Sequence, residues 1–192
     1  MVILDRYAHA SLVCGAKISG ARVRFFRHND VADLEKRLRR LGDRLSNTLI
    51  IAEGIYSMLG DRAPLAGIAE LKRRYGGMLL VDEAHSMGML GDHGRGVAEE
   101  DGVEDDIDFI VGTFSKSLGA IGGYCVSNHP ELDAIRFATR SYIFTASPSP
   151  SVIASTRAAL RLLQERPQLR EQLWENANTL YQHLQNTKFI TR

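Results

Sequence analysis

The sequence predicts an α/β fold, a central and mostly parallel sheet covered by helices on both faces. Short apolar runs alternate with longer segments whose leucines recur every three or four residues, the pattern of strand–helix–strand units with parallel pairing. The strand-like runs end on polar residues or glycine, at Asp5, Glu53, Asp82 and Gly112-Thr113. Open α/β sheets bind ligands outside the carboxyl ends of their strands, so four such ends favour one shared site.

Taken in order, Met1 to Leu4 reads as a strand stopping at Asp5. No element precedes it, which suggests a chain that begins inside a larger unit. Ala8 to Ala16 reads as a short helix with Gly15 and Gly20 near its end, and Arg22 to Phe26 as the second strand. Asn29 or Asp30 can cap a helix in which Val31, Leu34, Leu38 and Leu41 form the apolar stripe. Its charged face, Asp33, Glu35, Lys36, Arg37, Arg39 and Arg40, reads as solvated. Thr48 to Ala52 is a buried-type strand. After the loop from Ile55 to Asp61, Pro64 starts a helix carrying Leu65, Ile68 and Leu71, and Gly76-Gly77 ends it. Met78 to Val81 is the next strand, and glycines 88, 91, 94 and 96 make the loop that follows. Asp108 to Val111 and Tyr124 to Val126 are strands on either side of a lysine-bearing turn. From Pro130 the reading is helical: Glu131 to Arg140, a polar break from Thr145 to Pro150, then Ser151 to Glu165 and Gln168 to Gln185. Residues 1–150 are thus the expected ligand-binding core, and 151–192 a helical segment leading toward a further domain.

The 192 residues suffice for one domain with a real core, or one lobe of something longer. A formal net charge of +1 gives no bulk attraction to nucleic acid or an anionic membrane. Cys14 and Cys125 lie far apart with no CxxC spacing, so neither a metal site nor a disulfide is signalled, and both are expected to pack as small core residues. No apolar run approaches the roughly 20 residues of a membrane span and no signal peptide is evident, which makes the cytoplasm the default location.

The chemistry concentrates in Phe109-Ile-Val-Gly-Thr-Phe-Ser-Lys-Ser-Leu-Gly-Ala-Ile-Gly-Gly123 and Leu79-Leu-Val-Asp-Glu-Ala-His-Ser-Met-Gly88. A lysine on a tight turn among hydroxyls and glycines can bind an anion, or its amine can hold an aldehyde covalently, as lysine does in pyridoxal-phosphate (PLP) enzymes. Such a site also needs donors for the phosphate and an acid that keeps the pyridine nitrogen protonated. Lys116 can hold the aldehyde, Thr113 and Ser115 with nearby backbone N–H groups can hold the phosphate, and Asp82 can pair with the ring nitrogen. His85 is placed for the ring's phenolic oxygen, provided the chain turns helically after Asp82. The rival reading of Leu80-Val-Asp-Glu-Ala-His85 is the acidic strand of a nucleoside triphosphatase. It requires a G-x-x-x-x-G-K-[ST] loop, which this sequence lacks, and leaves Lys116 unused.

Asp82-Glu-Ala-His-Ser-Met-Gly88 and Gly112-Thr-Phe-Ser-Lys-Ser-Leu-Gly119 together resemble the α-oxoamine synthases, PLP enzymes of fold type I. Asp5-Arg-Tyr-Ala-His-Ala-Ser11, Arg27-His-Asn29, Glu53-Gly-Ile-Tyr-Ser-Met58 and Tyr142-Ile-Phe-Thr-Ala-Ser147 extend the likeness over nearly the whole chain. Arg27-His-Asn29 and Ile143 to Ser147 lie nearest to members that use serine and palmitoyl-CoA. The resemblance implies that Lys116 attaches the cofactor and later removes the substrate's α-proton. It implies Asp82 against the pyridine nitrogen, His85 and Ser57 at the phenolic oxygen, and His9 stacked on the ring and bonded to the substrate carboxylate. Thr113 and Ser115 would hold the phosphate, while Thr145 would reach the phosphate of the partner subunit, implying a homodimer. The implied reaction is a decarboxylative condensation of an amino acid with an acyl-CoA, or with an acyl-carrier-protein thioester. Serine with palmitoyl-CoA is the first expectation; alanine with pimeloyl-CoA, or glycine, are rivals. A non-catalytic, truncated subunit that pairs with a full-length homologue is the alternative from another class. Family members are longer, with an N-terminal cofactor contact and a C-terminal arginine for the substrate carboxylate that have no counterpart in this sequence. Arg95, in Gly94-Arg-Gly96, fits either a structural or an intersubunit role. His28 and His93 read as surface residues.

Overall fold

The computed structural model describes residues 1–187. Six strands form one sheet, β1 (Val2–Asp5), β2 (Val23–Phe26), β3 (Leu49–Glu53), β4 (Met78–Asp82), β5 (Phe109–Thr113) and β6 (Gly123–Val126). Their order is β2-β1-β3-β4-β5-β6, parallel throughout except for the antiparallel β5–β6 pair. Chain order reverses between β1 and β3, which places a topological switch point there, with the strand ends Asp5 and Glu53 at its rim.

Strand side chains alternate between two cores, as the period of two requires. Ile3, Phe26, Ile50, Ala52, Leu79 and Val81 pack with helices α2 (Val31–Arg39) and α3 (Leu65–Tyr75), through Leu34, Leu38, Leu65 and Ile68. Val2, Leu4 and Ile51 face the other way, against Ala16 and Leu12 of α1 (Ala10–Ile18). Each fully buried leucine or isoleucine contributes about 1.5–3 kcal/mol, so the α2–α3 face carries most of the apolar stabilisation. Helices therefore cover both faces, but unevenly.

Local chemistry sets the element ends. Asp30 is the residue that caps α2, its side chain accepting from the Asp33 amide at 2.7 Å. The charged face of α2 is only partly solvated: Arg37 pairs with Asp33, and Glu35 receives Arg39, Arg74 and the Tyr75 hydroxyl. Gly77 has φ +90, and a Cβ there would stand 2.9 Å from the Thr48 carbonyl, so only glycine allows α3 to turn into β4. At the opposite end of the sheet from the strand carboxyl termini, Asp108 joins the Leu79 amide, His129 and Lys72. Burial would raise its carboxyl pKa, but these three partners together hold it below the ordinary value.

Several expectations need correction. Gly15 lies inside α1, not at its end. The helix expected from Glu131 to Arg140 is broken at Thr139, leaving α5 (Leu132–Ala138) and α6 (Arg140–Ile143) on either side of an extended residue. A single turn, α4 (Val97–Glu100), closes the glycine loop. Both cysteines are exposed thiols: Cys14 lies on the outer side of α1, and Cys125 lies on β6, an edge strand among the described residues. His28 is no surface residue; it bridges Asp5 and Asp61 at 2.8 Å each, between the rings of Tyr7 and Tyr56. α7 (Pro150–Glu165) is capped by Ser149, and α8 (Gln168–Gln185) follows with its expected bounds. No helix among the described residues is long and apolar enough to cross a membrane.

Candidate active site

Three of the four polar strand ends converge. Glu53, Asp82 and Gly112-Thr113 line a cleft of about 400 Å³ together with His9, Ser11, His85, Ser115 and Lys116. Asp5 does not reach it. Fully buried, Asp5 accepts from the amides of Tyr7 and Asn29 at 2.8 Å each and from His28, so its carboxylate fastens the turn into α1. The shared site thus forms on β3, β4 and β5, with α1 supplying its lip.

His9 is the N-cap of α1. Its Nδ1 lies 2.8 Å from Ser11 Oγ, and its backbone N–H donates to Glu53 Oε1. Glu53 is the last residue of β3, in register with Asp82. Burial and the neighbouring Asp82 and Asp5 raise its pKa to about 7, against the opposing pull of the His9 amide and Lys116. Asp82 is half-buried, with Oδ1 accepting the Ala84 amide at 2.9 Å.

Past Asp82 the chain does turn helically. The amides of Ser86 and Met87 both bond the Glu83 carbonyl, and this brings His85 round to the same cleft as Asp82. Burial, then the nearby Lys116 charge, lowers the His85 pKa, so its imidazole is neutral at neutral pH. Glu83 points the other way. It is fully buried and accepts from the Ser86 hydroxyl and from the amides of Val97 and Ala98, at 3.1 and 2.8 Å. The acidic pair that a triphosphatase would aim at one metal is therefore split between cleft and core. Gly96, at φ +116, must be glycine because a Cβ there would run into the Glu83 carboxylate.

After β5 the turn is held by its own hydroxyls. Thr113 Oγ1 donates to the Gly122 carbonyl at 3.0 Å, lies 2.8 Å from Ser115 Oγ and accepts the Ser115 amide. The amide of Gly119 closes on the Lys116 carbonyl at 3.1 Å. Lys116 is exposed and makes no ion pair among the described residues, which leaves its amine available to a ligand. An apolar cavity of about 620 Å³ adjoins the cleft, sharing Ala84, His85 and Lys116 and lined beyond them by Met87, Leu118, Leu162 and Leu163.

Of the residues expected from the sequence, His9, Asp82, His85, Thr113, Ser115 and Lys116 meet at one cleft. Ser57 and Thr145 do not line it. Ser57 is exposed on the turn after β3, and Thr145 is exposed beyond α6. Arg95 bridges Glu104 at 2.7 Å and Glu99 at 3.1 Å. The Glu53 side chain is the site member that the sequence reading counted among the shared strand ends but gave no role. The signal for it was its place one strand over from Asp82.

A parallel sheet with a switch point, an antiparallel edge strand and a lysine turn facing an aspartate defines an α/β enzyme core with its site at the strand carboxyl ends. The chain belongs to the aminotransferase class I and II family, whose model matches residues 1–191. It is 59% identical over 190 residues to a serine palmitoyltransferase of Caulobacter vibrioides, covering 99% of this chain and 47% of that protein. It is 39% identical over 177 residues to an 8-amino-7-oxononanoate synthase of Alkaliphilus metalliredigens, covering 92% of this chain and 45% of the relative. A solved serine palmitoyltransferase variant from S. paucimobilis, with a bound PLP–myriocin aldimine, superposes with a TM-score of 0.94. The two are 50% identical over 98% of this chain and 49% of that one. The chain spans about half the length of the curated relatives it matches.

Proposed function

We propose that this chain carries the PLP site of an α-oxoamine synthase that condenses an amino acid, serine first, with a long acyl-CoA and loss of CO₂. The observation that carries the reading is the convergence of Lys116, Asp82, His85, His9, Thr113 and Ser115 on one cleft. This donor set fits PLP: an unpaired amine, a carboxylate facing it, a neutral imidazole and two hydroxyls on a glycine-flanked turn. When bound, PLP supplies an aldehyde that takes up the amino acid and a ring that accepts electrons from its Cα.

In this reading Lys116 Nζ would hold the cofactor's aldehyde and would serve as the base for the proton on the substrate's Cα. Asp82 keeps the pyridine nitrogen protonated through a charge-assisted bond. His85 and Ser57 serve the phenolic oxygen, Ser57 requiring its turn to close over the cleft. His9 covers the ring face and bonds the substrate carboxylate. Thr113 and Ser115 hold the phosphate with amides of their turn. The adjoining, mostly apolar cavity offers an acyl chain a surface beside Lys116.

Thr145 serves a second copy of the chain in this proposal, and the exposed Phe137, Tyr142, Ile143 and Phe144 beside it fit a homodimer surface. Residues 1–150 then form the cofactor-binding core and 151–192 a helical segment leading away from it, in a cytoplasmic protein. The 8-amino-7-oxononanoate synthase relatives favour a second reading within the same chemistry, alanine with pimeloyl-CoA. The alternative from another class is a non-catalytic subunit that pairs with a full-length homologue.

The test is cofactor attachment. Added PLP should give a visible absorbance band that borohydride removes, leaving a modified peptide that contains Lys116. An equal band in Lys116→Ala would overturn the assignment. Serine with palmitoyl-CoA, alanine with pimeloyl-CoA and glycine, offered in turn to the full chain, separate the substrate readings by CoA release.

A further inference from the structure

We infer that Glu53 is the positioning residue that sets His9 over the cleft, acting through the His9 backbone amide rather than by touching substrate. The inference rests on the functional reading above. The bond from the His9 amide is the one side-chain hydrogen bond that Glu53 makes among the described residues. Glu53 is only 2% exposed, at the last position of β3, whereas His9 is exposed on the lip of the cleft. A helix-entry amide has no intrahelical acceptor, and a buried carboxylate without a donor is costly, so each group satisfies the other. The remaining hold on the His9 ring is local, from Ser11 two residues on. Glu53 is thus the sheet's grip on this histidine.

The groups facing Glu53 also set when the grip is strong. Asp82 from β4 and Asp5 from β1 repel its negative charge, Lys116 from the turn after β5 attracts it, and the His9 amide bonds it. Burial with these carboxylates brings the carboxyl to about 7, so the ionised form, the stronger acceptor, takes over as pH rises past neutrality.

Two measurements on the full chain test this: amide hydrogen exchange at His9, read without cofactor, and retention of PLP on dilution. Glu53→Ala should speed His9 exchange about 10- to 100-fold, the loss of one hydrogen bond to a charged acceptor. It should also weaken PLP retention. In Glu53→Gln the amide oxygen still accepts, so protection should persist but lack the rise with pH expected of the unsubstituted chain across pH 7. That variant keeps the side chain's shape, so the test stands even if Glu53→Ala does not fold. PLP retention in His9→Ala should be no worse when Glu53→Ala is added, because the second residue acts through the first. Multiplying losses, or a His9 amide whose exchange ignores both pH and Glu53, would overturn the inference. Failure of the unsubstituted chain to take up PLP would count instead against the functional reading.

Discussion

At the scale of single residues, the site and its support divide one set of strand-end carboxylates between different tasks. Asp82 faces the cleft, Glu53 bonds His9, and Asp5 and Glu83 are consumed in holding turns. Asp82→Asn keeps the side chain's shape but removes its charge. PLP should still attach, while exchange of the α-proton of a bound amino acid should fall by at least about 100-fold. Proton exchange followed by NMR in deuterated buffer checks this; an unchanged rate would remove Asp82 from its role. His28 gives a pH test. Its burial lowers the imidazole pKa, but the bonds and charges of Asp5 and Asp61 outweigh that and leave it above 6.5. A raised folded-state value means that the stabilisation is fully present below the unfolded value and is lost as pH rises through the folded one. Thermal midpoints from about pH 6 to about pH 9 should therefore fall more steeply in the unsubstituted chain than in His28→Gln. Parallel curves would mean that His28 is not charged in the fold.

Among elements, the α2–α3 layer is the structural half of the molecule and the three strand-end turns are the chemical half. Leu34 of α2 and Ile68 of α3 are fully buried in one core. Truncation of either to alanine should cost about 2–5 kcal/mol, read as a lowered denaturant midpoint with an unchanged slope. The Asp30 cap is worth less, and Asp30→Ala should cost about 1 kcal/mol. The turn after β4 depends on Glu83 for its hold on Val97 and Ala98. Glu83→Ala leaves two buried amides without acceptors, so this turn and α4 should lose exchange protection before the strands do.

Over the whole molecule, the two flanks of the sheet differ. The β1–β4 side is closed by helices, while β6 and the helices after it keep much of their apolar surface exposed. Phe137 is 80% and Phe144 82% exposed, and Leu169, Leu173 and Leu180 stand open along α8. Surfaces of this kind mark sites of association. Residues 1–192 expressed by themselves should therefore self-associate. Size-exclusion chromatography would show dimers or larger species, and Phe137→Ser with Phe144→Ser should shift them toward monomer. A monodisperse monomer would show that these side chains need no partner.

The sequence by itself determined the α/β class, the bounds of α8, a cap at Asn29 or Asp30 and the lysine turn. These follow from local periodicity, capping and turn chemistry, which act over a few residues and are written in the chain. The motif spacing also carried Asp82 and His85 to one pocket, because a single helical turn lies between them. Only the tertiary structure decided which carboxylates reach the cleft. Asp5 and Glu53 have the same local signature, a polar residue ending an apolar run, yet one is locked to the Tyr7 and Asn29 amides and to His28 while the other holds His9. Strand order made that difference, since β1 sends its chain on toward β2 on one side of the switch point and β3 lies against β4 on the other. His28 was illegible for the same reason: its partners, Asp5 and Asp61, are 23 and 33 residues away in sequence and adjacent only once the sheet is assembled. The exposed cysteines were misread because an apolar sequence neighbourhood does not say which side of α1, or which edge of the sheet, a small side chain will face.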